Sequence, residues 1–383
     1  MTHRVLFMIS SMRGGGSERQ TLMLLKHLDR SLFTPHLYVM ERAGDLMAQV
    51  PKDVSIHSFE DVRQEPMVYL PGGVMRQQVR HLAKLLSDES IDVIYDRTFH
   101  MTMIAGPASQ RRKVPRVSTI VSPPELALPL VEKRFVRMKQ QRLAKAYYQS
   151  HQVLAVSQIA ADSAKNFYGL PSDAVDVVPN PVDCGALQQT GAGPPKKNSD
   201  AMLTLVCVGR MTHEKGHHDL ISAVSLAQTN WSESQPPMHI RFVGDGPLRH
   251  ELEVQAKNIQ PPHSVAFLGS LSDVVPSITS ADALVLPSHF EGMPNVVLEA
   301  MALKIPVIAT RAGGTVELER EEPTILWAEP GNAESLAAAI RSFAADPVSA
   351  LARVRSATRL ISERHDVAKT SRIIERYLLD ACR

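Results

Sequence analysis

Cysteine is scarce in this chain. Its 383 residues include three, Cys184, Cys207 and Cys382, far apart, odd in number and without CxxC spacing. A disulfide framework and a thiolate zinc site are both disfavoured, and a reducing, cytoplasmic setting is expected. Long apolar runs are missing too, and stretches such as Met202 to Val208 fall far short of the ~20 residues that span a bilayer. No charged leader or cleavage site precedes the strand-sized run Arg4-Val5-Leu6-Phe7-Met8-Ile9, so no signal peptide is expected. A large charge excess is absent: the formal net charge of +2 gives no global case for a nucleic-acid partner. No metal-ligand cluster is evident along the chain. What remains is an ordinary globular composition, 44% hydrophobic and 21% charged, long enough for two or three domains.

The charge is unevenly placed. Residues 1–183 carry +5 and the remainder −3. Arg111, Arg112, Lys113 and Arg116, followed by Lys133, Arg134, Arg137, Lys139, Arg142 and Lys145, form a concentrated basic stretch. It reads as a solvated helix face, or as a surface for anionic lipid or an acidic acceptor. Too few long apolar side chains form a stripe there for deep insertion, so any attachment is expected to be electrostatic.

The first half alternates short apolar strands, near 5–10, 36–40, 92–95, 116–121, 152–156 and 175–178, with stretches of helical period such as Thr21, Leu24, Leu25 and Leu28. The second half repeats the pattern, with strands near 203–208, 239–243, 265–268, 283–287, 306–309 and 325–327. Strand–helix alternation predicts parallel sheets with crossover helices. The expected organisation is an N-terminal domain over 1–184, a linker over 185–202, a C-terminal domain over 203–365 and a terminal helix over 366–383. The linker carries Gly191-Ala192-Gly193-Pro194-Pro195 and no apolar period. The terminal helix lines up Ile373, Ile374, Tyr377 and Leu378 on one face, which needs a groove, expected on the first domain.

In parallel α/β sheets ligands bind beyond the carboxyl ends of strands, where turns and helix N-termini admit phosphate. Gly14-Gly15-Gly16-Ser17-Glu18 is such a turn, weak as a signal and unlike a dinucleotide fingerprint. Val208-Gly209-Arg210 with Glu214-Lys215-Gly216 places two cations at a strand end, which suits a diphosphate, although Arg210 could pair with Glu214 instead. Val243-Gly244-Asp245-Gly246-Pro247 and Phe267-Leu268-Gly269-Ser270-Leu271 are further strand-end turns. The most informative is Pro287-Ser288-His289-Phe290-Glu291-Gly292-Met293-Pro294-Asn295, which leads into a helix carrying Glu299. A carboxylate at Glu291, flanked by apolar residues, needs a partner. Glu299 can serve a ligand or simply the helix dipole.

This ordered series, extended by Asn180-Pro181-Val182-Asp183, Ser280-Ala281-Asp282, Pro306-Val307-Ile308-Ala309-Thr310, Gly313-Gly314 with Glu317, and Pro330-Gly331-Asn332, resembles the family 4 retaining glycosyltransferases along almost the whole chain. The resemblance implies the α/β GT-B fold, two doubly wound Rossmann-like domains facing a central cleft. It implies a nucleoside diphosphate-sugar donor, UDP or GDP, and transfer of a hexosyl or N-acetylhexosaminyl group to a glycan or lipid-linked acceptor. No cofactor or metal is required, and no nucleic acid takes part. Arg210 and Lys215 would grip the pyrophosphate, Glu291 the sugar hydroxyls and Glu299 the ribose. Gly244 and the backbone of Gly292, Met293, Pro294, Asn295 and Val296 would line the donor. Leu271 would touch the base, and Gly15 and Gly16 would close from the first domain. Glu291, Arg210 and Lys215 would carry the chemistry.

Many relatives carry a histidine at a first-domain strand end, where this chain has Val121. The acceptor side is therefore assigned to Asp96, Arg97, His100 and Val121. The departure keeps open a donor-binding subunit without activity, and the shared architecture keeps open a sugar-nucleotide epimerase. The expected place of work is the cytoplasm, with peripheral contact at the inner face of an anionic membrane.

Overall fold

A computed structural model of the chain describes residues 2–63, 72–190 and 202–383. It divides into two compact units, residues 1–180 with 367–383, and residues 181–366. Each is built on a parallel sheet.

Unit 1 holds strands β1 (His3–Ile9), β2 (Phe33–Val39), β3 (Ser55–Ser58), β4 (Val93–Arg97), β5 (Arg116–Ile120), β6 (Gln152–Ala155) and β7 (Val175–Val177). Their order is β3-β2-β1-β4-β5-β6-β7. The central strand β1 is apolar on both faces because helices cover both. Val5, Phe7 and Ile9 pack with Leu24 and Leu25 of the helix Gly16–His27. Leu6 and Met8 pack on the other side with Leu82 of the helix Gly73–Asp88 and Ile104 of the helix Phe99–Arg112. The helix Val367–Ala381 adds Ile374, Leu378 and Ala381 to the first of these layers. It is tied down further where Tyr377 donates to Asp176 at 2.8 Å and the Asp29 amide donates to Glu375 at 2.7 Å.

Strand β3 goes unseen in the sequence. Its Ser-Ile-His-Ser has a single large apolar residue, which suffices for an edge strand with one neighbour. The strands that were expected agree with the observed ones to within one to three residues at each end.

Unit 2 holds β8 (Leu203–Val208), β9 (Met238–Val243), β10 (Ser264–Phe267), β11 (Ala283–Leu286), β12 (Val307–Thr310) and β13 (Leu326–Ala328), in the order β10-β9-β8-β11-β12-β13. Leu205 and Cys207 of β8, with Ile240 and Phe242 of β9, pack against Leu220 and Val224 of the helix His217–Gln228 and Ile340 of the helix Ala333–Ala345. Residues 185–190 were expected at the start of a linker and Cys184 at the end of the first domain, but Cys184–Thr190 is a helix of unit 2. It forms against the helices Val275–Thr279 and Asn295–Ala302. The rest of the expected linker, 191–201, lies outside the described residues. The helix Pro347–Arg364 was not assigned from sequence, although Ala350, Val354, Ala357 and Ile361 are buried at spacings of three and four. Two of these four are alanines, so the apolar stripe is faint among the arginines.

The basic stretch departs from expectation. At the junction of the helices Pro124–Val131 and Val136–Tyr148, Leu130, Val131, Phe135 and Met138 are exposed, Phe135 at 71% and Val131 at 67%. The apolar side chains judged too few for insertion are present at a helix turn, where no helical period displays them. Among the described residues no helix is long and apolar enough to cross a membrane.

Candidate functional site

The strand ends of unit 2 gather the residues that the sequence singled out. Beyond β8 the chain makes one short turn, His213–Lys215, and then starts the helix His217–Gln228 at Gly216. Gly216 has φ +63°, and a Cβ there would lie 2.0 Å from the Pro287 carbonyl oxygen. Only glycine allows this turn to seat against the end of β11. The seat brings Lys215 Nζ to 2.7 Å from Glu291 Oε1, across 76 residues of sequence.

Glu291 is held from several sides. Ser288 Oγ donates to the same carboxylate oxygen at 2.8 Å, and the Gly314 amide donates to the Glu291 carbonyl at 3.0 Å. Gly313, at φ +53°, comes so near that a Cβ would lie 2.1 Å from that carbonyl. Thr310 braces Ser288 by donating to its carbonyl. Next in the loop, His289 Nε2 lies 2.6 Å from Asp219 Oδ2, and the His289 amide donates to the Glu214 carbonyl at 2.8 Å. The loop is thus pinned to the helix His217–Gln228 on one side and to the turn after β12 on the other.

The electrostatics follow from this geometry. Burial alone would push the Lys215 ammonium down. The Glu291 carboxylate, by charge and hydrogen bond, and then Glu214, outweigh it and hold Lys215 above the usual lysine value. Arg210 is exposed, and its guanidinium makes no ion pair among the described residues. Glu214, the partner open to it on sequence grounds, accepts instead from Thr212 at 2.6 Å. His217 lies beneath this surface, 2% exposed, with its ring 5.6 Å from that of Phe242 and neither ring nitrogen partnered among the described residues. Burial, then the Lys215 charge, pushes it down to about 4, so it is neutral at physiological pH.

The helix Asn295–Ala302 begins after Pro294 without a side-chain cap, so its N-terminal partial charge faces the loop that holds Glu291. Gly292, Met293 and Pro294 are buried, while Asn295, Val296 and Glu299 are half-buried on the helix. Gly244 follows β9 and donates to the Gly269 carbonyl at 2.8 Å. Leu271 lies exposed beyond β10.

The remaining residues belong to unit 1. Gly15 caps the helix Gly16–His27, which Gly16 begins. Val121 directly follows β5. His100 is half-buried in the first turn of the helix Phe99–Arg112, and burial lowers its pKa. Asp96 and Arg97 correct the expectation of an acceptor role. Asp96 is 0% exposed, and its carboxylate accepts from Arg116 at 3.1 Å, Ser118 at 2.8 Å and Thr102 at 2.5 Å. Arg97 is also buried, donating to Tyr95 Oη and Asn180 Oδ1 at 3.2 Å each. At 0% and 3% exposure, neither side chain presents a surface to an acceptor.

The sequence reading missed Ser288, the Asp219–His289 pair and the bracing by Gly313 and Gly314. The adjacency of Ser288 and His289 to Glu291 was the available signal.

Residues 14–185 match the family model described as Glycosyltransferase Family 4, and residues 194–361 match that of Glycosyl transferases group 1. The chain belongs to the family 4 glycosyltransferases. Among curated relatives, the putative teichuronic acid biosynthesis glycosyltransferase TuaC of Bacillus subtilis is 34% identical over 198 residues, 50% of this chain and 46% of TuaC. A glycogen synthase of Mycobacterium tuberculosis is 28% identical over 224 residues, 57% of this chain and 51% of the synthase. The chain spans about half the length of these curated relatives. Among solved structures, Anabaena HepE in complex with UDP and glucose superposes with a TM-score of 0.77 at 22% identity, covering 99% of this chain and 100% of HepE. Sucrose-phosphate synthase of Thermosynechococcus elongatus gives 0.77 at 16% identity, covering 99% and 100%. The fold is that of the GT-B glycosyltransferases.

Proposed function

We propose that this chain transfers a hexosyl or N-acetylhexosaminyl group, with retention, from a UDP- or GDP-sugar to a hydroxyl of a glycan or lipid-linked acceptor in surface polysaccharide or glycolipid synthesis. The observation that carries the reading is the Lys215–Glu291 pair, fixed at the strand ends of unit 2, with the exposed guanidinium of Arg210 on the neighbouring turn. HepE, a structural neighbour, was crystallised with UDP and glucose, and TuaC is named for teichuronic acid biosynthesis.

Arg210 and Lys215 meet the diphosphate, Arg as a fork and Lys as a point charge. The start of the helix Asn295–Ala302, with the backbone of residues 292–296, adds partial positive charge. Glu291 orients the sugar through its hydroxyls, Glu299 takes the ribose, Leu271 borders the base, and Gly244 lines the donor. The bond from the anomeric carbon to the phosphate oxygen breaks, and the acceptor oxygen bonds to that carbon on the same face. The acceptor proton passes to the departing phosphate oxygen, so no enzymic base is needed. The protein supplies positioning and fixed positive potential where negative charge develops. No cofactor enters this scheme. The alternative, a donor-binding subunit without activity, rests on Val121 at the end of β5.

Proton NMR of the freshly formed product tests the reading. Retained anomeric configuration is expected, and inversion overturns the mechanism. Loss of Arg210 or Lys215 to alanine should weaken nucleotide binding by ~2–4 kcal/mol if the contact is desolvated and hydrogen-bonded. Unchanged affinity in the double variant shows the donor site to be misplaced, and donor binding without transfer or hydrolysis favours the inactive subunit.

A further inference from the structure

An unassigned group of ligand-type side chains lies at the edge of the unit 1 sheet. In the β2–β3 register His36 stands opposite Ser55 and Tyr38 opposite His57, so His36 and His57 share one face two rungs apart. His36 Nδ1 and His57 Nε2 are 3.0 Å from each other, with the ring planes 9° apart and the centroids at 5.3 Å. Glu89 follows the helix Gly73–Asp88, and the three ligand atoms lie within 4.8 Å of one another. The Glu89 backbone is fixed, its amide donating to the Leu85 carbonyl at 2.9 Å and its carbonyl accepting from Arg4 at 2.7 Å. Its carboxylate takes no hydrogen bond among the described residues.

We propose that His36, His57 and Glu89 form a binding site for a divalent transition metal of the zinc class. Two imidazoles and one carboxylate are a donor set that such ions prefer, with a fourth position left for water. With Zn–N bonds of about 2.0–2.1 Å, the ligand–ligand edge of a tetrahedron is about 3.3 Å, near the nitrogen separation observed here. The contact between the two facing nitrogens is a hydrogen bond, so one of them already offers its lone pair there. A proton now lies between the two nitrogens. The metal takes its place when the donating ring moves that proton to its other nitrogen and both rings turn about Cβ–Cγ, with no net proton released.

The surrounding charges are spoken for. Arg42, the cation that bears on His57, pairs with Asp61 at 3.1 Å, and Arg4, which bears on His36, is committed to the Glu89 carbonyl. His81, the third ring in this region, contacts Tyr38 Oη through Nδ1 at 3.1 Å. A metal here would tie the edge strand β3 to β2 and to the end of the helix Gly73–Asp88.

The test uses the tag-free full chain titrated with Co²⁺, whose visible d–d bands are strong in tetrahedral nitrogen–oxygen sites. One equivalent should produce the bands, Zn²⁺ should bleach them, and Zn²⁺ should raise the melting temperature in a way that EDTA reverses. His57→Ala and Glu89→Gln should each weaken binding by at least about tenfold, while His81→Ala keeps the bands. Glu89 is half-exposed, so E89Q gives the answer even if H57A fails to fold. No saturable band in the wild type, or a band unchanged in E89Q, overturns the proposal.

Discussion

At the scale of single residues, the legible part of the candidate site is the part that sits in strand-end turns. Arg210, Lys215 and Glu291 stood out because a charge beside glycine at a strand end has few structural uses. Asp96 was misread for the same reason: it too ends a strand, and nothing local announces Arg116, its partner twenty residues on. The Asp219–His289 pair was invisible because seventy residues separate its members. His217 carries a prediction of its own. Its folded pKa of about 4 lies below the ordinary 6.5, so between these values the unfolded chain binds more protons. Its contribution is complete above pH 6.5 and is lost as the pH falls towards 4, up to about 3 kcal/mol at 1.4 kcal/mol per unit. His217→Leu removes this dependence. Denaturant melts of both proteins from pH 7 to pH 4 should therefore show the variant gaining on the wild type by roughly that amount. A gap that ignores pH would mean that the ring is solvated or partnered.

At the scale of elements, periodicity found strands with apolar cores and failed where an element carries few large apolar residues. Strand β3 and the helix Pro347–Arg364 are two such failures, one an edge and the other a stripe half made of alanine. The junction of the helices Pro124–Val131 and Val136–Tyr148 shows the converse, large apolar side chains left in solvent beside Lys133, Arg134 and Arg137. Apolar tips ringed by cations suit shallow insertion into an anionic membrane face. The chain should float with anionic vesicles, weakly with neutral ones, and retain part of that binding in high salt. Phe135→Ser with Val131→Ser should remove the salt-resistant part. Flotation abolished entirely by salt in the wild type would return the surface to purely electrostatic attachment, and no flotation at all would remove the membrane from the account.

For the molecule as a whole, the alternation of strands and helices was enough to give two parallel sheets, because each βαβ unit is local in sequence. The interleaving of the two units, in which unit 1 takes residues from both sides of unit 2, is not shown by alternation and was signalled only by the apolar face of the terminal helix. The helix Val367–Ala381 belongs to the same layer as Val5, Leu25 and Phe33. That layout imposes an order on synthesis. Unit 2 separates the two parts of unit 1 by roughly 190 residues, which at ~5–20 residues per second take about 10–40 s to translate. During that interval the seven strands of unit 1 exist with one helical layer incomplete, and unit 2, whose residues are contiguous, can finish before the unit made first. Released chains ending at residue 366 should thus show unit 1 cut readily by protease while unit 2 resists, with protection of unit 1 restored in the chain that carries residues 367–383. Equal protection of unit 1 in both would mean that it closes without them. The half of the protein that is translated first is, on this layout, the half that is finished last.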